Sequence, residues 1–107
     1  MNIAVIICEK SAASCSGYGC FMANVEHRSH FEEYYPTDPA SITAFFHCGG
    51  CESITSDGEH FVRQFEQLNR INLKRIHLSS CVKNCPHLLK IQSIIEEGGF
   101  SYIIGTH

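Results

Sequence analysis

Asn2-Ile3-Ala4-Val5-Ile6-Ile7-Cys8 decides the fold. Beyond Asn2 the stretch is aliphatic on both faces and rich in β-branched side chains, the pattern of a strand covered by helices on either side. Such a strand belongs in the middle of a parallel sheet, and the rest of the chain supplies its partners. Residues 42–47 read as a second strand and 74–79 as a third, with Ile76 and Leu78 on one face and Arg75, His77 and Ser79 on the other. Residues 100–104 form a last strand after Gly98 and Gly99.

Helical patterns fill the gaps. One runs over 18–27, after Gly17 and Gly19, and is followed by an irregular stretch through Ser41 that contains Pro36 and Pro39. A second opens at Ser56, with Glu59 at capping-box spacing, and continues to about residue 72, burying Phe61, Phe65 and Leu68. A third begins at Pro86, a residue suited to a first helical position, and turns Leu88, Ile91 and Ile95 to the sheet. The β-α-β-α-β-α-β alternation with right-handed crossovers predicts an α/β fold. It is a small doubly wound, mostly parallel four-stranded sheet of order 2-1-3-4 with flanking helices, in one domain over residues 1–107.

Composition narrows the function classes. The 107 residues carry a formal charge of −3 and only 18 % charged side chains, so no basic surface is available to track a nucleic-acid backbone. The apolar run at the start is far below the roughly 20 residues of a membrane span and lacks the flanks of a signal peptide. A cytoplasmic protein with no membrane partner is expected. Seven cysteines could form a disulfide framework, but their odd number and the expected reducing compartment point instead to metal ligation or thiol chemistry.

The thiols stand where the apolar runs end. Cys8 follows the first strand, Cys48 and Cys51 the second, and Cys81 and Cys85 the third. In a parallel sheet those ends share one edge, which brings Cys8, Cys48 and Cys81 towards one pocket. Cys48-Gly49-Gly50-Cys51 is the sharpest motif: two thiols three positions apart can grip one ion, and the glycines let the backbone turn tightly. A lone C-x-x-C also serves redox exchange, so the surrounding thiols carry the metal reading. Cys85, just before Pro86, lies near a helix start where unpaired amides favour a thiolate, and His87 adds an imidazole. Cys15 and Cys20 lie in the glycine-bearing segment after the first strand and can close a site from above.

Other motifs are missing or bland. The segment from Cys8 to Ser14 has no arginine of the kind a phosphate-cradling cysteine loop needs, and neither a Walker-type loop nor G-x-G-x-x-G occurs. His27 and His30 read as solvated, and His60 as a helix-surface residue. His77 alternates with Ile76 and Leu78 and reads as a hydrogen-bonded histidine beneath a helix. His47 can support the Cys48 motif from behind. His107, after the last strand, shares the thiol edge and is a second imidazole candidate.

Taken in order, these segments resemble the CGGC-domain family: an opening strand ending in Cys8-Glu9, then Cys15-Ser16-Gly17-Tyr18-Gly19-Cys20-Phe21, Cys48-Gly49-Gly50-Cys51, His77-Leu78-Ser79-Ser80-Cys81, Cys85-Pro86-His87 and Gly105-Thr106-His107. Ser16 stands where many members carry proline. The resemblance implies a metal-binding domain rich in cysteine and histidine, with zinc the usual suggestion and no settled reaction.

The sequence thus predicts a metal-binding protein with a cysteine-rich zinc or iron–sulfur site at the carboxyl edge of the sheet. Cys8, Cys48, Cys51 and Cys81 are the leading ligands, followed by Cys85, His87, Cys15, Cys20 and His107. Seven thiols and two nearby histidines exceed the needs of one tetrahedral zinc, so two sites or a cluster both remain open. The rivals are a thiol–disulfide oxidoreductase using Cys48 and Cys51, and a metal or redox sensor acting through a protein partner.

Overall fold

The computed structural model describes residues 1–107 apart from Asp57 and the side chain of Ser53. Strand β1 (Asn2–Ile7) lies inside a four-stranded parallel sheet, between β2 (Ser41–His47) and β3 (Leu73–Leu78), with β4 (Tyr102–Ile104) beyond β3. The order is therefore 2-1-3-4, as expected from the alternation with right-handed crossovers, and β1 is interior as its double-sided apolar pattern requires. The alternation along β1 feeds two layers. Ala4 and Ile6 face Ile54, Phe61, Phe65, Leu68, Ile91 and Ile95, contributed by α3 (Cys51–Ser56), α4 (Glu59–Leu68) and α5 (Leu88–Glu97). Ile3, Val5 and Ile7 face the opposite layer of α1 (Glu9–Ala12), α2 (Tyr18–Val25) and a 3-10 turn at Ser29–Tyr34.

The strands β2 and β3 lie within one residue of expectation, and the larger shifts of boundary have local reasons. Helix α2 stops at Val25 because His27 takes a left-handed conformation, φ 54°, and the Arg28 amide turns back to the Ala23 carbonyl. The helix expected over 56–72 runs only over Glu59–Leu68, and a separate short helix, α3, precedes it. Ser56 ends α3 rather than capping the next helix, Gly58 at φ 67° takes the N-cap of α4, and Asp57 lies outside the described residues. Helix α5 begins at Leu88, not Pro86. Pro86 instead follows Cys85 in a turn closed by the Leu88 amide on the Cys85 carbonyl, a position its fixed φ favours. Phe100 closes the turn that follows α5, its amide on the Ile95 carbonyl, so β4 starts only at Tyr102.

His77 fills the place its alternation predicts. It is fully buried on β3 and stacked on Phe31 at 4.6 Å. Its Nδ1 lies 2.8 Å from the Gly105 carbonyl oxygen, which can only accept, so Nδ1 carries the proton. Nε2 then accepts from the Tyr34 hydroxyl at 2.7 Å, and Tyr34 in turn receives Arg75 Nη1 at 3.2 Å. Burial holds the imidazole below its ordinary value, opposed by the Gly105 carbonyl. The folded state therefore refuses a proton that the unfolded chain takes up near pH 6.5, and stability falls as pH drops below about 6.5 by up to about 1.4 kcal/mol per unit. Urea midpoints at pH 7.5, 6 and 5 should show this loss in the native protein and a flatter response in His77→Gln; parallel slopes would remove His77 as the cause.

Candidate metal centre

Three strand ends converge on one pocket. Cys8 directly follows β1 and caps α1, its carbonyl accepting the Ser11 and Ala12 amides at 3.0 Å. Cys48 directly follows β2 and is buried, with 7 % of its surface exposed. Gly49 and Gly50 then take φ values of 87° and 107°, a left-handed path that glycine alone follows without strain, and bring Cys51 to the first position of α3. Beyond β3, Cys85 and His87 lie in the turn ahead of α5, and the His87 amide reaches Cys85 Sγ at 3.4 Å. Cys8, Cys48, Cys51, Cys85 and His87 line a pocket floored by Ile54, Val82 and Ile91, with about 10 Å³ of room, the space of one water-sized sphere.

The loop between Cys48 and Cys51 is braced from behind. His47 Nδ1 accepts the Gly49 amide at 3.0 Å, as its supporting place beside the motif suggests, and the His47 and His60 rings stack at 6.5 Å. A Cβ at Gly49 would meet the His60 ring, so this position excludes a side chain on two grounds. His60 is on the helix surface as expected, but its contact with the loop has no signature in the sequence. Burial pushes the Cys48 thiol up; the amides of Gly50 and Glu9 work against this, and the neighbouring Cys85 and Cys8 add to it.

The remaining donors gather elsewhere. Cys81 does not line the pocket: the turn that places the Val82 amide on the Ser79 carbonyl buries Val82 and leaves Cys81 exposed. Its Sγ receives the Cys8 amide at 3.2 Å and lies 2.7 Å from Ser79 Oγ. Cys20, on α2 in the opposite layer, is 3 % exposed, with its Sγ 3.2 Å from Thr106 Oγ1 and 3.9 Å from His107 Nδ1. Cys15 is exposed in the loop before α2, its Sγ accepting the Gly17 amide at 3.3 Å. Burial raises the Cys20 thiol, the Thr106 hydroxyl opposes this, and Cys81 and Cys15 contribute in the raising direction. Thr106, fully buried, is a polar partner whose motif the sequence shows but to which it assigns no role.

All seven cysteines are free thiols. Among the described residues, no three His, Cys, Asp or Glu side chains are already drawn close enough together to hold an ion. His27 stacks on Tyr35 at 4.1 Å, and His30 lies exposed against Gly105, so neither joins the pocket.

The profile of the CGGC domain matches residues 2–107. The chain belongs to the CGGC domain family. The match runs from the first residue of β1 through His107, so all seven cysteines and seven histidines fall within it. Comparison of this CGGC domain with curated proteins and with solved structures gives no match. Among its described residues, no helix is long and apolar enough to cross a membrane.

Proposed function

We propose that the chain is a single metal-binding domain, working in the reducing cytoplasm, whose principal centre is formed by Cys8, Cys48, Cys51 and Cys85 with His87 beside them. One observation carries this reading: five soft or borderline donors from three strand ends line a pocket sized for a single small particle. The donor chemistry fits zinc or an iron–sulfur cluster, both of which four thiolates can hold. Among the described residues no three of these side chains already stand at ligand spacing, so binding an ion draws the sulfurs together.

The convergence of five donors from three strand ends favours metal binding over dithiol exchange, which needs only the Cys48 and Cys51 pair. Anaerobic purification with metal analysis and an absorption spectrum tests the reading. Colourless protein with stoichiometric zinc, or protein with visible charge-transfer bands and iron, would each support it. In Cys48→Ser the metal of this centre should be lost at least tenfold. Metal-free native protein that cycles a Cys48–Cys51 disulfide would replace this reading with thiol–disulfide exchange.

A further inference from the structure

Two thiols stand side by side where β1 and β3 end. Ile6 lies opposite Leu78, and the Ser79 amide bonds the Ile6 carbonyl at 2.9 Å, so the two chains leave the sheet as neighbours. Cys8 and Cys81 follow at once, and the Cys8 amide donates to Cys81 Sγ at 3.2 Å. With the Cys8 Cα about 1.46 Å behind that nitrogen, a hydrogen bond of this kind sets it about 4 Å from the Cys81 sulfur. The Cα of one cysteine and the sulfur of the other are about 4–4.5 Å apart in a disulfide, whose Cα atoms are about 5.5–6 Å apart. We propose that Cys8 and Cys81 are an oxidative modification site, at which a hydroperoxide oxidises Cys81 and Cys8 closes a disulfide onto it. The disulfide stands apart from the metal-binding reading above; its effect on the pocket, which Cys8 also lines, rests on that reading.

Exposure assigns the two roles. Cys81 is open to solvent, whereas Cys48 and Cys20 are buried and Cys8 is half-buried, so an oxidant from solution meets Cys81 first. The contact of Cys81 Sγ with Ser79 Oγ at 2.7 Å, together with the Cys8 amide, holds the sulfur against the end of β1. The Cys81 sulfur attacks a peroxide oxygen: an S–O bond forms, the O–O bond breaks, and water or an alcohol leaves with the thiol proton, giving the sulfenic acid. The Cys8 sulfur then attacks the Cys81 sulfur. An S–S bond forms, the S–O bond breaks and water leaves with the Cys8 proton, so that two electrons in all pass from the pair of sulfurs to the peroxide. A dithiol reductant reverses the bond by exchange. To make it, Cys8 turns its sulfur from the pocket towards the β3 side, leaving Cys48, Cys51, Cys85 and His87 behind. One sulfur cannot serve an ion and the disulfide at once, so each state opposes the other.

The test treats the reduced full chain, with and without zinc(II), with one equivalent of hydrogen peroxide, alkylates the remaining thiols and maps the peptides by mass spectrometry. Far-UV circular dichroism confirms the fold of each variant. Without zinc, a bond between Cys8 and Cys81 should be the principal disulfide and should open again with a dithiol. Cys81→Ser, at an exposed position, should leave Cys8 free, and Cys8→Ser should hold Cys81 as a sulfenic acid that dimedone labels. A principal disulfide between Cys48 and Cys51, or dimedone on Cys8 with Cys81 still a thiol, would overturn the site. With zinc bound, the disulfide between Cys8 and Cys81 should form at least tenfold more slowly. An equal rate in protein shown to hold zinc would overturn the opposition between the two states and leave the disulfide standing. Failure of the reduced chain to bind any metal would overturn the metal reading alone.

Discussion

Stripping metal from the CGGC domain with a chelator, under reducing and oxygen-free conditions, is expected to lower its melting temperature by about 15–30 °C. A ligand present at a thousandfold excess over its Kd stabilises the folded state by about 4 kcal/mol, and about 1 kcal/mol moves the midpoint of a domain near this size by about 4–8 °C. The physical source is the tie the ion makes between segments far apart in sequence. Cys8, Cys48 and Cys85 each leave a different strand, and no disulfide links them. Zinc(II) should restore the midpoint and magnesium(II) should not, since a hard cation that prefers oxygen gains little from thiolates. A midpoint unchanged after metal analysis shows the ion gone would mean that the centre adds nothing to the fold.

Phe61→Ala should be nearly as damaging without touching a thiol. Phe61 is fully buried in the α4 layer, with its ring 6.0 Å from Phe46 and 4.7 Å from Phe65. Truncating such a ring removes its transfer free energy and leaves a cavity, a loss of about 3–5 kcal/mol. Against the roughly 5–15 kcal/mol of a typical domain, much of the stability would go. Urea unfolding of both proteins measures the difference; a loss below about 1 kcal/mol would show that the aromatic cluster of Phe46, Phe61 and Phe65 collapses to fill the gap.

The sheet was legible because its central strand is apolar on both faces, and that one pattern forces parallel neighbours and helices on either side. The meeting of Cys8, Cys48, Cys51 and Cys85 then follows from topology, since all parallel strand ends share an edge. Two kinds of detail were not legible. Ser56 and Glu59 have the spacing of a capping box, but Gly58 in a left-handed conformation starts the helix instead, a backbone choice that residue type permits without announcing. The separation of Cys81 from the pocket depends on one turn that buries Val82 in its place. His60 behind Gly49 and Thr106 beside Cys20 are contacts across distant segments, which no local spacing encodes.

The placement of β1 between β2 and β3 has a consequence for synthesis. Its partners begin at Ser41 and Leu73, so the most water-averse strand of the chain is made well before either neighbour exists. At about 5–20 residues per second, roughly 2–8 s pass before the first of them has been translated. Throughout that interval Ile3, Val5, Ile6 and Ile7 have no sheet to enter, and the Cys8 thiol beside them is open to oxidants. Nascent chains of this protein are therefore the form most in need of a chaperone and a reducing milieu, and slowing translation between β1 and β2 should lower its yield more than slowing it after β3.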